Sequence, residues 1–211
     1  QLQNYGYSFF SSSDTEVLLA AWDKWGQKCL NYINGMYSFA IWDQKNKQLY
    51  LVRDPYGKKP LLYSIQNDKI IFASDLNSLE KIADCGEINP LAVESLFKLR
   101  FIHDPLTIYK NAFKLPPGSM LKFTKEKVTI QKWYNLKRAS SINFHQDNLK
   151  NNLTTLFDQA VKRRLVSDVD IGVFLSGGLD SSLIISSLAE QGYSLPCFTM
   201  GFENSADYYE E

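Results

Sequence analysis

The run SGGLDSS at residues 176–182 is the most informative stretch of this sequence because of the segments on either side of it. An apolar run at 171–175 precedes it, and a segment typical of a helix follows at 183–191. Gly177 and Gly178 permit backbone conformations that other residues avoid, and they let a ligand approach the main chain closely. The following helix directs free N–H groups and the positive end of its dipole at the same place. A buried strand, a loop of small residues and a helix start together predict a phosphate-binding loop.

Asp180 narrows the chemistry expected of this loop. No Gly-Lys-Ser/Thr follows the glycines and no third glycine has the spacing of a dinucleotide fingerprint, so neither of those motifs is present. A phosphate would repel this carboxylate unless a cation lay between them, and Mg²⁺ binds through one or two carboxylates plus substrate phosphates. The alternative is a tight turn with a serine cap on an ordinary helix. We favour a phosphate site in which Asp180 is a Mg²⁺ ligand.

Composition limits the class of protein. The 211 residues are 45% apolar, and 23 basic side chains balance 23 acidic ones. This balance gives no overall field that would attract nucleic acid or an anionic membrane, and no apolar run has the length of a membrane span. The three widely spaced cysteines form no C-x-x-C pair, so we expect neither a zinc site nor a disulfide framework. A cytoplasmic protein of one large or two modest domains is expected.

The first part of the chain has the pattern of antiparallel sheets with helices. Helices are predicted at 13–26, opened by a capping box in which Glu16 follows Ser13 by three residues, and from Asn89 to about Leu99. The apolar run at 36–42 predicts a strand buried on both faces. The other predicted strands of this part are 49–53, 61–65, 69–73, 120–123 and 128–133.

The pattern changes to that of a parallel α/β sheet near residue 147. A long amphipathic helix leads into the strand at 171–175, the phosphate loop, a helix and a strand at 195–202. We therefore predict a first domain at 1–134, a linker at 135–148 and the start of a second domain at 149–211. Neither end has the character of a natural terminus, so we expect the chain to be part of a longer protein.

Both halves together resemble the glutamine-dependent asparagine synthetases. The first half resembles class II (N-terminal-nucleophile) glutamine amidotransferase domains, and the second resembles the start of an ATP pyrophosphatase-type synthetase domain with its pyrophosphate (PP) loop. This implies an α+β amidotransferase domain followed by the start of an α/β parallel-sheet domain. The matching stretches are SDTEVLLAAWDKWG (13–26), INGMYSFAIWD (33–43), LYLVRDPYGKKPLLYS (49–64), FASDLNSLEKI (72–82), INPLAVESLF (88–97), KLPPGSMLKF (114–123), DVDIGVFLSGGLDSSLI (168–184) and CFTMGF (197–202).

The resemblance implies an activity, its cofactors and its partners. Glutamine would supply ammonia, and the second domain would use ATP and Mg²⁺ to convert aspartate to β-aspartyl-AMP, which ammonia attacks to give asparagine. The implied partners are glutamine, aspartate and ATP, without nucleic acid or membrane, and a homodimer is compatible with it. Two alternatives stay open: a related ligase acting on a polysaccharide sugar acid or a lactam precursor, and a non-catalytic scaffold.

The resemblance also assigns site residues. Asp14 matches the aspartate that holds the amino group of glutamine, although an acidic residue in a first helical turn needs no ligand. Asp180 matches the Mg²⁺ ligand of a loop that grips the β- and γ-phosphates of ATP. Leu175 and Met200 match main-chain contacts to the nucleotide, with ordinary strand core as the alternative. The residues that match the ATP site are Leu175, Ser176, Gly177, Gly178, Asp180, Ser181 and Met200.

Two expected parts of such an enzyme have no counterpart in this sequence. The nucleophilic cysteine of the family must be a first residue with a free α-amino group, and Gln1 is not cysteine. The catalytic lysine of the synthetase half is also absent, so we expect no catalytic residue in this chain. The run RDPYGKKP at 53–60 matches a further family signature, for which we expect a structural role in a tight turn.

Overall fold

The computed structural model describes residues 1–136 and 146–201. The chain divides into two compact units, Gln1–Lys137 and Arg138–Glu211. Most of the linker predicted at 135–148 lies outside the described residues. No helix in the described ranges is both long enough and apolar enough to cross a membrane.

The first unit contains two antiparallel sheets and three described α-helices. The helices are α1 (Asp14–Trp25), α2 (Leu76–Ile82) and α3 (Pro90–Leu99), and short 3-10 helices lie at Leu2–Tyr5 and Gly26–Asn31. One sheet has the order β1 (Ser38–Asp43), β2 (Gln48–Arg53), β6 (Ser119–Phe123) and β7 (Val128–Lys132). The other has the order β4 (Lys69–Ala73), β3 (Leu62–Gln66) and β5 (Phe113–Lys114).

The long helices and the hairpins predicted for this unit are confirmed, whereas helix α2, strand β5 and the two 3-10 helices were not predicted. Helix α2 has seven residues and begins after Asp75, whose carboxylate accepts a hydrogen bond from the Ser78 N–H at 2.8 Å. Strand β5 has two residues. Elements this short have little intrinsic stability and form through tertiary packing, which a local pattern does not contain.

The prediction that the strand at 36–42 is buried on both faces is wrong. Ile41 is buried in β1, but Ala40 is exposed and Trp42 keeps 54% of its surface accessible. Among the described strands, β1 is an edge strand that pairs with β2 alone, so the neighbouring central strand is the buried one. An apolar run predicts strand formation, but it does not distinguish an edge from the centre of a sheet.

Strand β2 organises the core of the first unit. Because successive side chains of a strand point to opposite faces, Val52 packs with α1 while Leu51 packs in the cluster that includes the second sheet. The strand ends at Arg53, which is followed by Asp54, and both charged residues are buried. Two of the three core clusters among the described residues of this unit are therefore on opposite faces of β2, and its end carries a buried pair of opposite charges.

The second unit is a parallel α/β arrangement, as predicted. It contains α4 (Gln146–Arg163), β8 (Val173–Phe174), α5 (Leu179–Glu190) and β9 (Cys197–Phe198), and β8 pairs with β9 in parallel. Helices α4 and α5 pack together, and the buried Ser187 hydroxyl donates to Asp158 at 2.6 Å. Both strands are shorter than the predicted 171–175 and 195–202, and residue 202 lies outside the described residues.

We expect Leu51→Ala to lower the free energy of unfolding of the first unit by about 2 to 5 kcal/mol, because it leaves a cavity between closely packed residues. Leu51 has no accessible surface, whereas Leu136 is 77% exposed. The matched control Leu136→Ala should change the same quantity by less than about 0.5 kcal/mol. Chemical denaturation of each variant measures both values, and equal losses would contradict the assignment of Leu51 to the core.

Candidate functional site

The phosphate loop lies between β8 and α5, and its first residue is held by the neighbouring strand. The Leu175 N–H donates to the Phe198 carbonyl at 2.8 Å, and the Thr199 hydroxyl donates to the Leu175 carbonyl at 2.5 Å. Gly177 follows with a φ of +81°, a left-handed conformation that glycine adopts without steric cost. The chain thus turns sharply from the end of a parallel strand into a helix.

Helix α5 begins earlier than its predicted start at residue 183. It begins at Leu179, so Asp180 and Ser181 lie in its first turn rather than in a loop that precedes it. Gly178 is the N-cap, and no side chain caps the helix. Since the first N–H groups of a helix have no partner within it, this end presents main-chain donors together with the positive end of the helix dipole.

The serine hydroxyls of the loop lie close together. The Ser176 and Ser181 hydroxyl oxygens are 3.1 Å apart, and the Ser176 N–H donates to the Ser181 hydroxyl at 3.3 Å. The Gly178 N–H contacts the Ser176 hydroxyl at 3.4 Å, and the Ser181 and Ser182 hydroxyls donate to the Gly178 carbonyl at 3.0 and 2.9 Å. The contacts made by the two loop N–H groups are long, so an anion with several acceptor oxygens offers them a stronger partner.

Asp180 is exposed in the first turn of α5, where the helix dipole favours a negative charge. In the two described ranges, no group of three or more His, Cys, Asp or Glu side chains could hold a metal ion. Among these residues, Asp180 therefore belongs to no such group. A single carboxylate suits Mg²⁺ that is held together with phosphate oxygens, because that ion commonly takes only one or two protein carboxylates.

The two predicted main-chain contacts to the nucleotide differ in their surroundings. Leu175 is half-buried, and its N–H and carbonyl both contact residues 198–199. Met200 lies just after β9 and is 81% exposed, so the alternative interpretation of this residue as strand core is wrong. The predicted ATP-site residues 175–178, Asp180 and Ser181 lie along one strand–loop–helix connection, and Met200 follows the paired strand.

A second candidate site lies in the first unit, around Asp14. Asp14 lines a cavity of about 850 Å³, here called the Asp14 cavity, which is bordered by α1, the 3-10 helix Gly26–Asn31 and residues 33–39. Lys59 contributes the other charged side chain of the lining. The size is within the range of small-molecule sites. A cavity with one carboxylate and one ammonium group suits a small zwitterionic ligand.

The segment before α1 fixes the position of Asp14, but not through the predicted capping box. Ser13 is the N-cap and accepts a hydrogen bond from the Thr15 N–H at 3.2 Å. The Glu16 carboxylate does not bond the Ser13 N–H, which donates to the Ser11 hydroxyl instead. Glu16 accepts the N–H groups of Phe10 and Ser11, both at 2.9 Å, and the Ser11 hydroxyl at 2.6 Å. Its carboxylate therefore ties residues 10–11 to the first turn of the helix that carries Asp14.

Among the polar residues of the Asp14 cavity, Asp14 was assigned from the sequence, but Tyr37 and Lys59, for example, were not. Tyr37 and Lys59 both line it, the first just before β1 and the second between β2 and β3. Lys59 belongs to the run RDPYGKKP, which matches a family signature, but a tight turn was sufficient to explain that run. Tyr37 is part of an apolar strand pattern and carried no separate signal.

Comparison with known proteins gives matches for both halves. A family model described as "Glutamine amidotransferase domain" matches residues 1–134, and one described as "Asparagine synthase" matches residues 152–211. These matches, the antiparallel sheets of the first unit and the parallel strand pair of the second confirm the predicted fold class.

Curated relatives match nearly the whole chain. Asparagine synthetase (glutamine-hydrolyzing) 1 of Bacillus subtilis is 34% identical over 203 residues, which is 96% of this chain and 32% of the relative. Asparagine synthetase (glutamine-hydrolyzing) 3 of the same organism is 31% identical over 217 residues, which is 100% of this chain and 35% of the relative. The chain spans about a third of the length of these relatives.

The role of Glu16 predicts a pH dependence of stability. Hydrogen bonds from the Ser11 hydroxyl and then from the Phe10 and Ser11 N–H groups hold the pKa of Glu16 below its ordinary value of 4.5. A carboxyl group with a lowered pKa in the folded state stabilises it above the unfolded pKa, and this contribution is lost as the pH falls through the folded pKa. Glu16→Gln should therefore lower the free energy of unfolding at neutral pH. The difference in this free energy between the variant and wild type should become smaller as the pH falls.

Chemical denaturation at a series of pH values between about 7 and about 3 measures this difference. Glu126→Gln, which replaces an exposed carboxylate in the β6–β7 turn, is the matched control and should follow wild type throughout. If the difference in free energy of unfolding between Glu16→Gln and wild type stays constant with pH, the Glu16 carboxylate charge does not hold residues 10–11.

Proposed function

The chain belongs to the glutamine amidotransferase domain family, and on this basis we propose that it is part of a glutamine-hydrolysing asparagine synthetase. The proposed reaction converts aspartate to asparagine with ammonia from glutamine, at the expense of ATP and through β-aspartyl-AMP. The observation that supports it best is the uncapped start of α5 behind Gly177, in the half of the chain that follows the amidotransferase match. The names of the two relatives favour aspartate as the acceptor over a sugar acid or a lactam precursor.

Asp14 holds the amino group of glutamine in this proposal. Its carboxylate lies at the margin of a cavity whose other charged lining group is the Lys59 ammonium. Cys29 also lines this cavity, but burial raises the pKa of its thiol to about 11, so it stays protonated at neutral pH and is a poor nucleophile. We therefore assign no glutaminase nucleophile among these residues, in agreement with the family requirement for a free α-amino group on the cysteine.

The phosphate loop holds the triphosphate of ATP. A carboxylate is a poor acyl donor because oxide would have to leave, and transfer of AMP to the aspartate side chain creates a good leaving group. Charge then accumulates on the departing pyrophosphate, where fixed main-chain donors stabilise it without reorganising. The N–H groups at the start of α5, with the hydroxyls of Ser176 and Ser181, serve this role. Asp180 would hold Mg²⁺, which would supply positive charge to the phosphates.

The proposed cofactors and partners follow from this reaction. ATP binds at 175–178, Asp180, Ser181 and Met200, Mg²⁺ binds at Asp180, and glutamine binds at Asp14. Aspartate is the acceptor. A cytoplasmic location accords with cysteines that are all free, two of them buried. A homodimer stays a prediction from the resemblance.

We expect Asp180→Ala in the intact protein to lower aspartate-dependent release of AMP by about a hundredfold or more, because the phosphate charge loses its metal-mediated partner. Hydrolysis of glutamine should be spared. Asp168→Ala removes another exposed carboxylate that precedes β8 and should leave both rates unchanged. Quantifying AMP and glutamate from the same reactions tests this, and normal AMP release by Asp180→Ala would contradict the assignment of the loop.

Asp14→Asn should raise the KM for glutamine by about tenfold to about a hundredfold, because the substrate ammonium loses a charged hydrogen-bond acceptor. Synthesis of asparagine from free ammonia should continue, since this route bypasses the Asp14 cavity. Steady-state assays with each nitrogen source separate the two effects. Equal losses with glutamine and with ammonia would assign Asp14 a role in folding alone.

A further inference from the structure

The run RDPYGKKP, which connects β2 to β3, contains two adjacent buried charges. Asp54 is 1% exposed, and its carboxylate accepts hydrogen bonds from the N–H groups of Tyr56 at 3.0 Å, Lys58 at 3.1 Å and Lys59 at 2.9 Å. Burial acts to raise the pKa of this carboxyl, but the N–H groups of Lys59, Lys58 and Tyr56 hold it below its ordinary value. Asp54 is thus a buried carboxylate that orders the main chain after it.

Arg53 contacts the same segment from its other side. This side chain is also buried, and its Nε donates to the Lys59 carbonyl at 2.9 Å while Nη2 donates to the Gly57 carbonyl at 3.0 Å. Its Nη1 donates to the Leu115 carbonyl at 2.6 Å and to Asp104 at 2.9 Å. One guanidinium therefore joins the segment to two other parts of the first unit.

Arg53 and Asp54 both bond the main chain of Lys59. Its N–H donates to Asp54 and its carbonyl accepts from Arg53, so both hydrogen-bonding groups of its main chain are held by buried charges. Gly57 makes this possible, with a φ of +64° and no side chain. A Cβ at Gly57 would lie 2.8 Å from Pro117 Cγ and 3.0 Å from Arg53 Cζ, so the guanidinium packs where any other residue would have its side chain.

Both ends of this segment are also bonded to the residues at the start of β1. The Asp54 N–H donates to the Tyr37 carbonyl at 2.9 Å, and the Ser38 hydroxyl donates to the Pro60 carbonyl at 3.0 Å. Tyr37, Ser38 and Lys59 all line the Asp14 cavity. These three residues, called the cavity wall below, are therefore fixed by hydrogen bonds of the segment that Arg53 and Asp54 order.

A tight turn alone does not require this arrangement. Turns on a protein surface are satisfied by short local hydrogen bonds, whereas burial of two charged side chains carries a desolvation penalty. The Tyr37 hydroxyl is itself buried without a hydrogen-bond partner among the described residues. Buried polar groups left unpaired are uncommon and call for an explanation such as a functional role. In the first unit, the unpaired Tyr37 hydroxyl belongs to the cavity wall, and the buried charges of Arg53 and Asp54 order the segment that holds this wall.

We propose that Arg53 and Asp54 are positioning residues that hold the cavity wall in the geometry needed to bind and orient glutamine beside Asp14. This inference rests on the proposed function for the identity of the ligand. The pair acts through Tyr37, Ser38 and Lys59 rather than by touching the substrate. Its loss lets the Lys59 main chain move, which changes the shape of the cavity while leaving Asp14 in place.

Asp54→Asn in the intact protein tests this proposal. The amide keeps the shape of the side chain but loses the charge and one of the two acceptor oxygens. We expect kcat/KM for glutamine hydrolysis to fall between about tenfold and about a hundredfold, since a displacement of about 1 Å can have such an effect. Asparagine formation from free ammonia should fall much less. Ser38→Ala, which removes only the bond to Pro60, should give a smaller loss in the same direction.

Asp68→Asn, at the exposed turn between β3 and β4, is the matched control and should behave as wild type. Circular dichroism and thermal unfolding establish the folded fraction of each variant. The proposal would be overturned if, after correction for that fraction, Asp54→Asn lowered the glutamine-dependent and ammonia-dependent rates equally. It would also be overturned if Asp54→Asn and Ser38→Ala both kept normal glutamine kinetics. If the wild-type protein hydrolyses glutamine without forming asparagine, only the proposed acceptor is refuted. If it does not hydrolyse glutamine, both the proposed function and the positioning role of Arg53 and Asp54 are overturned.

Discussion

The uncapped start of helix α5 is the feature on which the proposed chemistry of this protein depends. Its N–H groups have no side-chain cap, and the residue before the cap is a glycine with a left-handed backbone. A helix end of this kind favours an anion, because unpaired main-chain donors and the helix dipole act together. The parallel pairing of β8 with β9 places this end directly after a strand, where open α/β sheets bind their ligands.

In the first unit, two buried charged side chains order the connection that follows strand β2. Strand β2 separates two apolar clusters and ends at Arg53, which is followed by Asp54. The Asp54 side chain bonds main-chain N–H groups, and the Arg53 side chain bonds main-chain carbonyls and the Asp104 carboxylate. The cost of burying them is offset by at least three hydrogen bonds to each side chain. The result is a rigid connection beside a cavity that contains an acidic and a basic side chain.

Sequence alone predicted much of this fold because its signals were local. The hairpins, α1 and α3 follow from periodicity, caps and turn residues, and SGGLDSS predicted the strand–loop–helix connection. The exposure of Trp42 and the short strand β5 depend on the order of strands, which no local pattern contains. Asp14 was assigned through family resemblance. Its neighbours Tyr37 and Lys59 were not, because a place on a cavity wall is set by contacts between distant segments.

A crystal structure of the protein with Mg²⁺ and a non-hydrolysable ATP analogue tests the phosphate site most directly. We expect the β- and γ-phosphate oxygens to lie about 3 Å from the N–H groups at the start of α5. We also expect Mg²⁺ to lie between these phosphates and Asp180. A nucleotide bound elsewhere, with the loop N–H groups still bonded to Ser176 and Ser181, would refute the assignment of this loop.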